Sequence, residues 1–270
     1  MSKYLCLAAV LALSSTGAFA QNASSKATAA INTAVWCTYD TSTSGSISGI
    51  IAPSSCVDIW SGATVTPTPD NFIQIMSTSI KVSNSQSLFV TPSLVTGLYT
   101  NTAVKSHTSG GTGSTSTAVA MGGVYLRAVL YDESGNMIVA YPLQNCAPDI
   151  VGCVMVPGTG GGYGVVLDSR IQTLSQTLSG CTVSITGGGS GTCSFDLTTQ
   201  LILQTTAAHT FGFIFPNVGV GTYTVAIQAA VDANADTSTS NGGAYAVGAS
   251  AFGLGSVTVE SVRLVHNFSF

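Results

Sequence analysis

Charge is what this sequence has least of. Only 7% of its 270 residues are Asp, Glu, Lys or Arg, against about 25% in a typical soluble domain. Seven basic residues face eleven acidic ones, and no basic stripe is present to neutralise phosphates, which argues against a nucleic-acid partner. Histidine occurs only as His107, His209 and His266, and no Gly-x-Ser-x-Gly turn offers a nucleophile. The means for acyl-transfer catalysis are therefore thin. The cysteines never fall at Cys-x-x-Cys or Cys/His spacing, which leaves no zinc framework. Beyond the first twenty residues no apolar run reaches the length of a membrane helix. Helical periodicity is nearly absent as well.

What is present starts with an export signal. "MSKYLCLAAVLALSSTGAFA" has Lys3, an apolar run from Leu5 to Leu13 and Ala18-Phe19-Ala20. A basic start, a short apolar stretch and an A-x-A step predict a signal peptide over 1–20, cleaved after Ala20. The mature chain then keeps six cysteines, Cys37, Cys56, Cys146, Cys153, Cys181 and Cys193. An even number in an exported chain reads as disulfides, and their order suggests that neighbours pair: 37–56, 146–153 and 181–193. Six basic residues remain once Lys3 is gone, so the mature charge is 6 − 11 = −5. Ser, Thr, Asn and Gly must make its surface soluble.

Alternating apolar residues, many of them β-branched, recur between turn residues, which is the all-β pattern. Strands are expected at 29–39, 72–83 and 87–100, and a hairpin at "GGVYLRAVLYDESGNMIVAYPL" turning on "DESGN". "SHTSGGTGSTST" (106–117) reads as an exposed loop, and "PGTGGGYG" (157–164) as a joint that lacks dinucleotide-binding spacing. The expected fold is an enlarged two-sheet β-sandwich, immunoglobulin-like or jelly-roll, stapled by disulfides. It forms one domain over 21–270, with 21–70 as an N-terminal disulfide-bearing elaboration.

"FIFPNVGVGTYTVAIQAAVD" resembles the corner and strand of secreted immunoglobulin-like β-sandwich proteins. In that motif a tyrosine pins the crossover between sheets by a hydrogen bond to upstream backbone, and Tyr223 is the matching position. The resemblance covers about twenty residues and implies a fold without an activity.

Few side chains could do chemistry. Asp232, Asn234 and Asp236 in "DANADTSTSNGG" match the opening of a calcium loop, but Thr237 replaces its Gly and Gly243 its bidentate Glu. They are expected to lie in a connection between strands, a weak metal candidate with calcium as the ion. Asp168, Asp196 and Glu260 are the carboxylates available for glycoside hydrolysis, and nothing in the sequence pairs them. Asp168 and Arg170, two apart, suggest a local ion pair. Trp36 and Trp60 flank the first disulfide, either as core or as stacking platforms for sugars.

The sequence points to a non-enzymatic extracellular or cell-surface protein of structure, adhesion or assembly. Its expected partner is itself or a cell-surface polymer, with no cofactor and no membrane span. Ala29, Ile31, Thr33 and Val35 alternate as a strand donated to a neighbour would, although pairing within the chain is the simpler reading. A glycan-binding module, calcium-assisted, is the alternative. A bacterial barrel, suggested by Val262, Leu264, His266, Phe268 and Phe270, is disfavoured by six cysteines and missing aromatic girdles. Asn22 and Asn267 head glycosylation sequons.

Overall fold

The computed structural model describes residues 26–65, 71–109, 111–156 and 161–263. The expected signal peptide, both sequons and Leu264–Phe270 lie outside the described residues. What is described is almost entirely strand, arranged as two antiparallel sheets packed face to face.

The first sheet contains β1 (Ala27–Asn32), β2 (Trp36–Gly45), β3 (Thr64–Val65), β5 (Gln86–Thr108), β12 (Phe195–Thr210), β13 (Phe213–Val218) and β15 (Gly243–Val262). Its central path runs β12-β5-β15-β2-β3, with β1 joined to β15 and β13 to β5. The second sheet contains β4 (Ile73–Val82), β6 (Ser114–Tyr131), β7 (Met137–Val139), β8 (Cys153–Val156), β9 (Gly162–Leu178) and β14 (Gly221–Ser240). Its path is β4-β14-β6-β9-β8, with β7 joined to β6. A small hairpin of β10 (Thr182–Ile185) and β11 (Gly189–Thr192) stands apart; a short α-helix, α1 (Cys56–Ile59), follows β2, and a 3-10 turn spans Leu143–Asn145.

All three neighbour disulfides form: Cys37–Cys56, Cys146–Cys153 and Cys181–Cys193. The turn after β6 also forms as expected, with the Asp132 carboxylate accepting the backbone N–H of Ser134 and of Asn136 at 2.9 and 2.8 Å.

Three expectations are corrected. The stretch 106–117 is mostly strand: β5 runs on through Thr108, β6 starts at Ser114, and Ser106, Ser114 and Ser116 are buried. Gly162–Gly164 belong to β9 rather than to a joint. The 21–70 segment is not added outside the sandwich as a whole, because β1 and β2 pair with β15 inside the first sheet. Only the stretch after β2, with Ile47, Ile50, Ile59 and Trp60, lies over the sheet's outer face, on Tyr99, Ala103, Tyr245 and Val247. Ala29 and Ile31 accordingly pair with Thr258 and Ser256 of the same chain.

The core changes character along the strands. At one end Leu88, Leu94, Leu126, Leu130, Phe213, Phe215, Ile227 and Phe252 fill the space between the sheets. A bulge between Gly253 and Gly255 in β15 shifts the register by one, so that Phe252 and Val257 both face this core. At the other end the core is Val104, Ala118, Ala244 and Ala246. There the sheets nearly touch: a Cβ on Gly248 of β15 would lie 2.1 Å from Met121 O and 2.6 Å from Asn234 O in the opposite sheet. Sheets normally pack about 10 Å apart, a separation that this end does not keep. Hydroxyls bridge the narrow gap, as in Ser42 Oγ to Thr237 Oγ1 at 2.8 Å and Ser116 Oγ, which donates to Lys105 O at 2.8 Å.

Candidate functional site

The sequence's metal candidates do not sit in a loop. β14 continues to Ser240, so Asp232, Asn234 and Asp236 occupy alternate positions of a regular strand paired with Gly123, Met121 and Val119 of β6. Ser, Thr, Asn and Asp read as loop residues in sequence, but here they line a continuous ladder. Alternate residues share a face and stand about 6.7 Å apart, so three of them span roughly 13 Å. Calcium ligands must approach one ion to about 2.3–2.6 Å, and these three side chains do not converge on one point. Asp232 instead accepts from Tyr125. Burial first, then this carboxylate, push the Tyr125 hydroxyl up to about 12. Among the described residues no group of three His, Cys, Asp or Glu is placed to hold a metal.

The three carboxylates considered for hydrolysis are held far apart. Asp168 of β9 accepts the Thr96 hydroxyl at 2.6 Å. Asp196 of β12 pairs opposite His107, and Glu260 of β15 opposite Phe89. From Thr96 to His107 along β5 is about 36 Å, and from Thr96 to Phe89 about 23 Å, at the usual strand rise. Paired glycosidase carboxylates stand about 5–10 Å apart. Asp168 and Asp196 instead keep local company. His107 and Lys105 (the latter at 3.2 Å) flank Asp196, and their hydrogen bonds, His107 first, hold its carboxyl below the ordinary 3.8.

Asp168 does not pair with Arg170. Its second neighbour is His209 Nε2 at 3.5 Å, while Arg170 donates to the Thr205 hydroxyl of β12. Sequence reading missed the Asp168–His209 contact because the two residues lie on different sheets. A nucleophile relay places the base between hydroxyl and acid. Here the acid stands between Thr96 and His209, and Thr96 is fully buried.

Trp36 opens β2 and packs on the main core. Trp60 packs beside the Cys37–Cys56 bridge, and its indole lies directly on Gly97, where a Cβ would come within 2.8 Å of the ring. It also lines a cavity of about 330 Å³ with Val35, Ile59, Thr206, Phe252 and Leu254. This cavity opens on the outer face of the first sheet. The Asp232 row faces outward from the second, so an ion held there would be on the wrong side of the molecule to help bind a sugar at Trp60.

Tyr223 stands where the sequence placed it, just after the chain leaves β13 in the first sheet for β14 in the second. The hydroxyl, however, makes no hydrogen bond among the described residues. The half-buried ring packs on the core and over Gly221 instead. The crossover is real, and ring packing rather than a hydrogen bond holds it.

No family model and no curated protein matches the chain. Among solved structures it is similar, at 11% identity and a TM-score of 0.09, to a chain of "Structure of infectious bursal disease virus Gt strain". That match covers 91% of this chain and 43% of the other, and at such a score it carries no argument about fold or function. Among the described residues no helix is long and apolar enough to cross a membrane.

The surface feature that sequence reading passed over is β12. It pairs with β5 on one side, forms the end of its sheet, and exposes Leu197, Leu201, Ile202 and Leu203 at 36–42%. "QLILQTT" is recognisable as a strand in the sequence, but its position at an edge is a property of topology.

Proposed function

We propose that this is an exported, non-enzymatic protein of structure, adhesion or assembly, acting at the cell surface or outside the cell through contacts of its sandwich. The observation that carries this reading is β12: sixteen residues at a sheet edge with four exposed aliphatic side chains. Sheet edges are usually blunted by Lys, Pro or a bulge because they template pairing with other chains; β12 contains none of these. Three disulfides and the low charge of the surface agree with an oxidising, outward location. Expression of residues 1–270 with fractionation tests it. Cleavage after Ala20 and recovery in surface-attached or high-mass fractions are expected, whereas recovery only inside the cell overturns the reading.

The Trp60 cavity favours a second reading, a glycan-binding module that stacks a sugar ring on the indole. Quenching of tryptophan fluorescence by oligosaccharides, lost in Trp60→Ala and unaffected by chelator, would establish it in preference to the first.

A further inference from the structure

The exposed edge has an unusual order. Thr198-Thr199-Gln200-Leu201-Ile202-Leu203-Gln204-Thr205-Thr206 reads identically in both directions about Ile202. An antiparallel joint between two copies of one strand has a twofold axis and sets residue i against residue j and j against i. With the axis at Ile202, Ile meets Ile, Leu201 meets Leu203, Gln200 meets Gln204, and Thr meets Thr at both flanking steps. We infer that β12 joins two copies of this chain edge to edge in this register, a proposal that names the partner in the assembly reading above and rests on it.

Backbone geometry allows the joint. Phe211, just past β12, donates its N–H to Pro92 O at 3.2 Å, and Ala207 O accepts the Thr96 hydroxyl at 3.4 Å. Odd-numbered residues of the ladder therefore turn their backbone groups toward β5. The even ones, Thr198, Gln200, Ile202, Gln204 and Thr206, turn N–H and C=O away from it, because the two sets alternate in an antiparallel strand. A joint centred on a residue pairs even with even, as these outward groups require. A joint centred between residues would set outward groups against inward ones.

Charge and area agree. From Leu197 to Ala208 the strand carries no charged residue, and Asp196 falls opposite Ala208 rather than opposite itself. Arg170, beside Thr205, comes opposite Gln176, which lies beside Thr199, in the second copy. The side of the sandwich formed by β12 and β9 is about 34 Å long by about 20 Å deep across two layers. That is roughly 700 Å² per partner, close to the 800 Å² or so of a standard interface.

The experiment uses the oxidised mature protein. Sedimentation velocity over a concentration series is expected to show a dimer that Ile202→Lys converts to monomer, with the melting midpoint of the monomer checked to confirm folding. Ile202→Cys, treated with a short thiol-to-thiol linker, should give a covalent dimer. Thr206→Cys should not, because in this register its two copies lie about 27 Å apart. A monomer at every concentration overturns the joint, as does a dimer that survives Ile202→Lys or links through Thr206→Cys. A monomer that still localises to the surface fraction sinks this joint alone, whereas retention inside the cell sinks the assembly reading itself.

Discussion

The two ends of the sandwich solve the same problem with opposite materials. At the wide end Leu, Ile and Phe side chains fill the space between sheets. At the narrow end the sheets approach until Gly248 lies against the carbonyls of Met121 and Asn234, and Ala, Ser and Thr complete the packing. Gln172 marks the passage between them. It is buried, accepts the Thr100 hydroxyl at 2.7 Å, and donates to Thr102 Oγ1 at 2.6 Å and Leu201 O at 2.8 Å. Burial of apolar volume holds one end. Hydrogen bonds over short distances, with backbones in contact, hold the other.

Substitutions separate the two regimes. The largest effect is expected from Leu130→Ala at the wide end, where an unfilled cavity should cost about 3–4 kcal/mol; denaturant titration measures it. Gly248→Ala at the narrow end adds a single methyl and should still cost about 2–3 kcal/mol, since backbone rather than a flexible side chain must give way. If Gly248→Ala is neutral by the same titration, the sheets are not in contact there and the contrast fails. Gln172→Leu preserves volume but leaves two hydroxyls unpaired, and should lower stability by about 2 kcal/mol. An unchanged midpoint would show that water replaces its bonds.

The smallest effect concerns the exposed Asp196 next to Lys105 and His107. Its carboxyl is held below its ordinary value, chiefly by the hydrogen bond with His107 and then by that with Lys105. A group depressed on folding stabilises the protein above its unfolded-state pKa and loses that contribution as pH falls through the folded one. The melting midpoint should therefore drop slightly less below about pH 4 in Asp196→Asn than in the parent, a difference that scanning calorimetry resolves.

The contrast also explains which parts of the molecule could be read from sequence. Strands of the wide end declare themselves: "FIQIMSTSIKVS" and "GGVYLRAVLY" alternate large apolar residues with polar ones, and neighbouring cysteines mark their own bridges. At the narrow end "SHTSGGTGSTST" and "DANADTSTSNGG" resemble loops, because residues small enough for sheets in contact are also the residues of turns. Ser106, Ser116 and Thr100 are fully buried although nothing in their type says so. Ile202 and its mirrored neighbours were equally visible as letters, but only the strand order puts them at an edge. Asp168 and His209 meet across two sheets, a proximity that no spacing along the chain encodes.

The hydroxyl-rich end has a thermal consequence. Unfolding exposes apolar surface, which raises heat capacity by about 0.45 cal/K/mol per Å², and polar surface, which lowers it by about 0.26. A core partly built from Ser, Thr and Gln releases more of the second kind than a core of leucines would. The heat-capacity increment per residue is therefore expected to be smaller than an all-aliphatic core of the same size would give, and the curve of stability against temperature flatter. Such a protein changes little in stability between cold and warm surroundings, where one with an all-aliphatic core would pass through a sharper maximum.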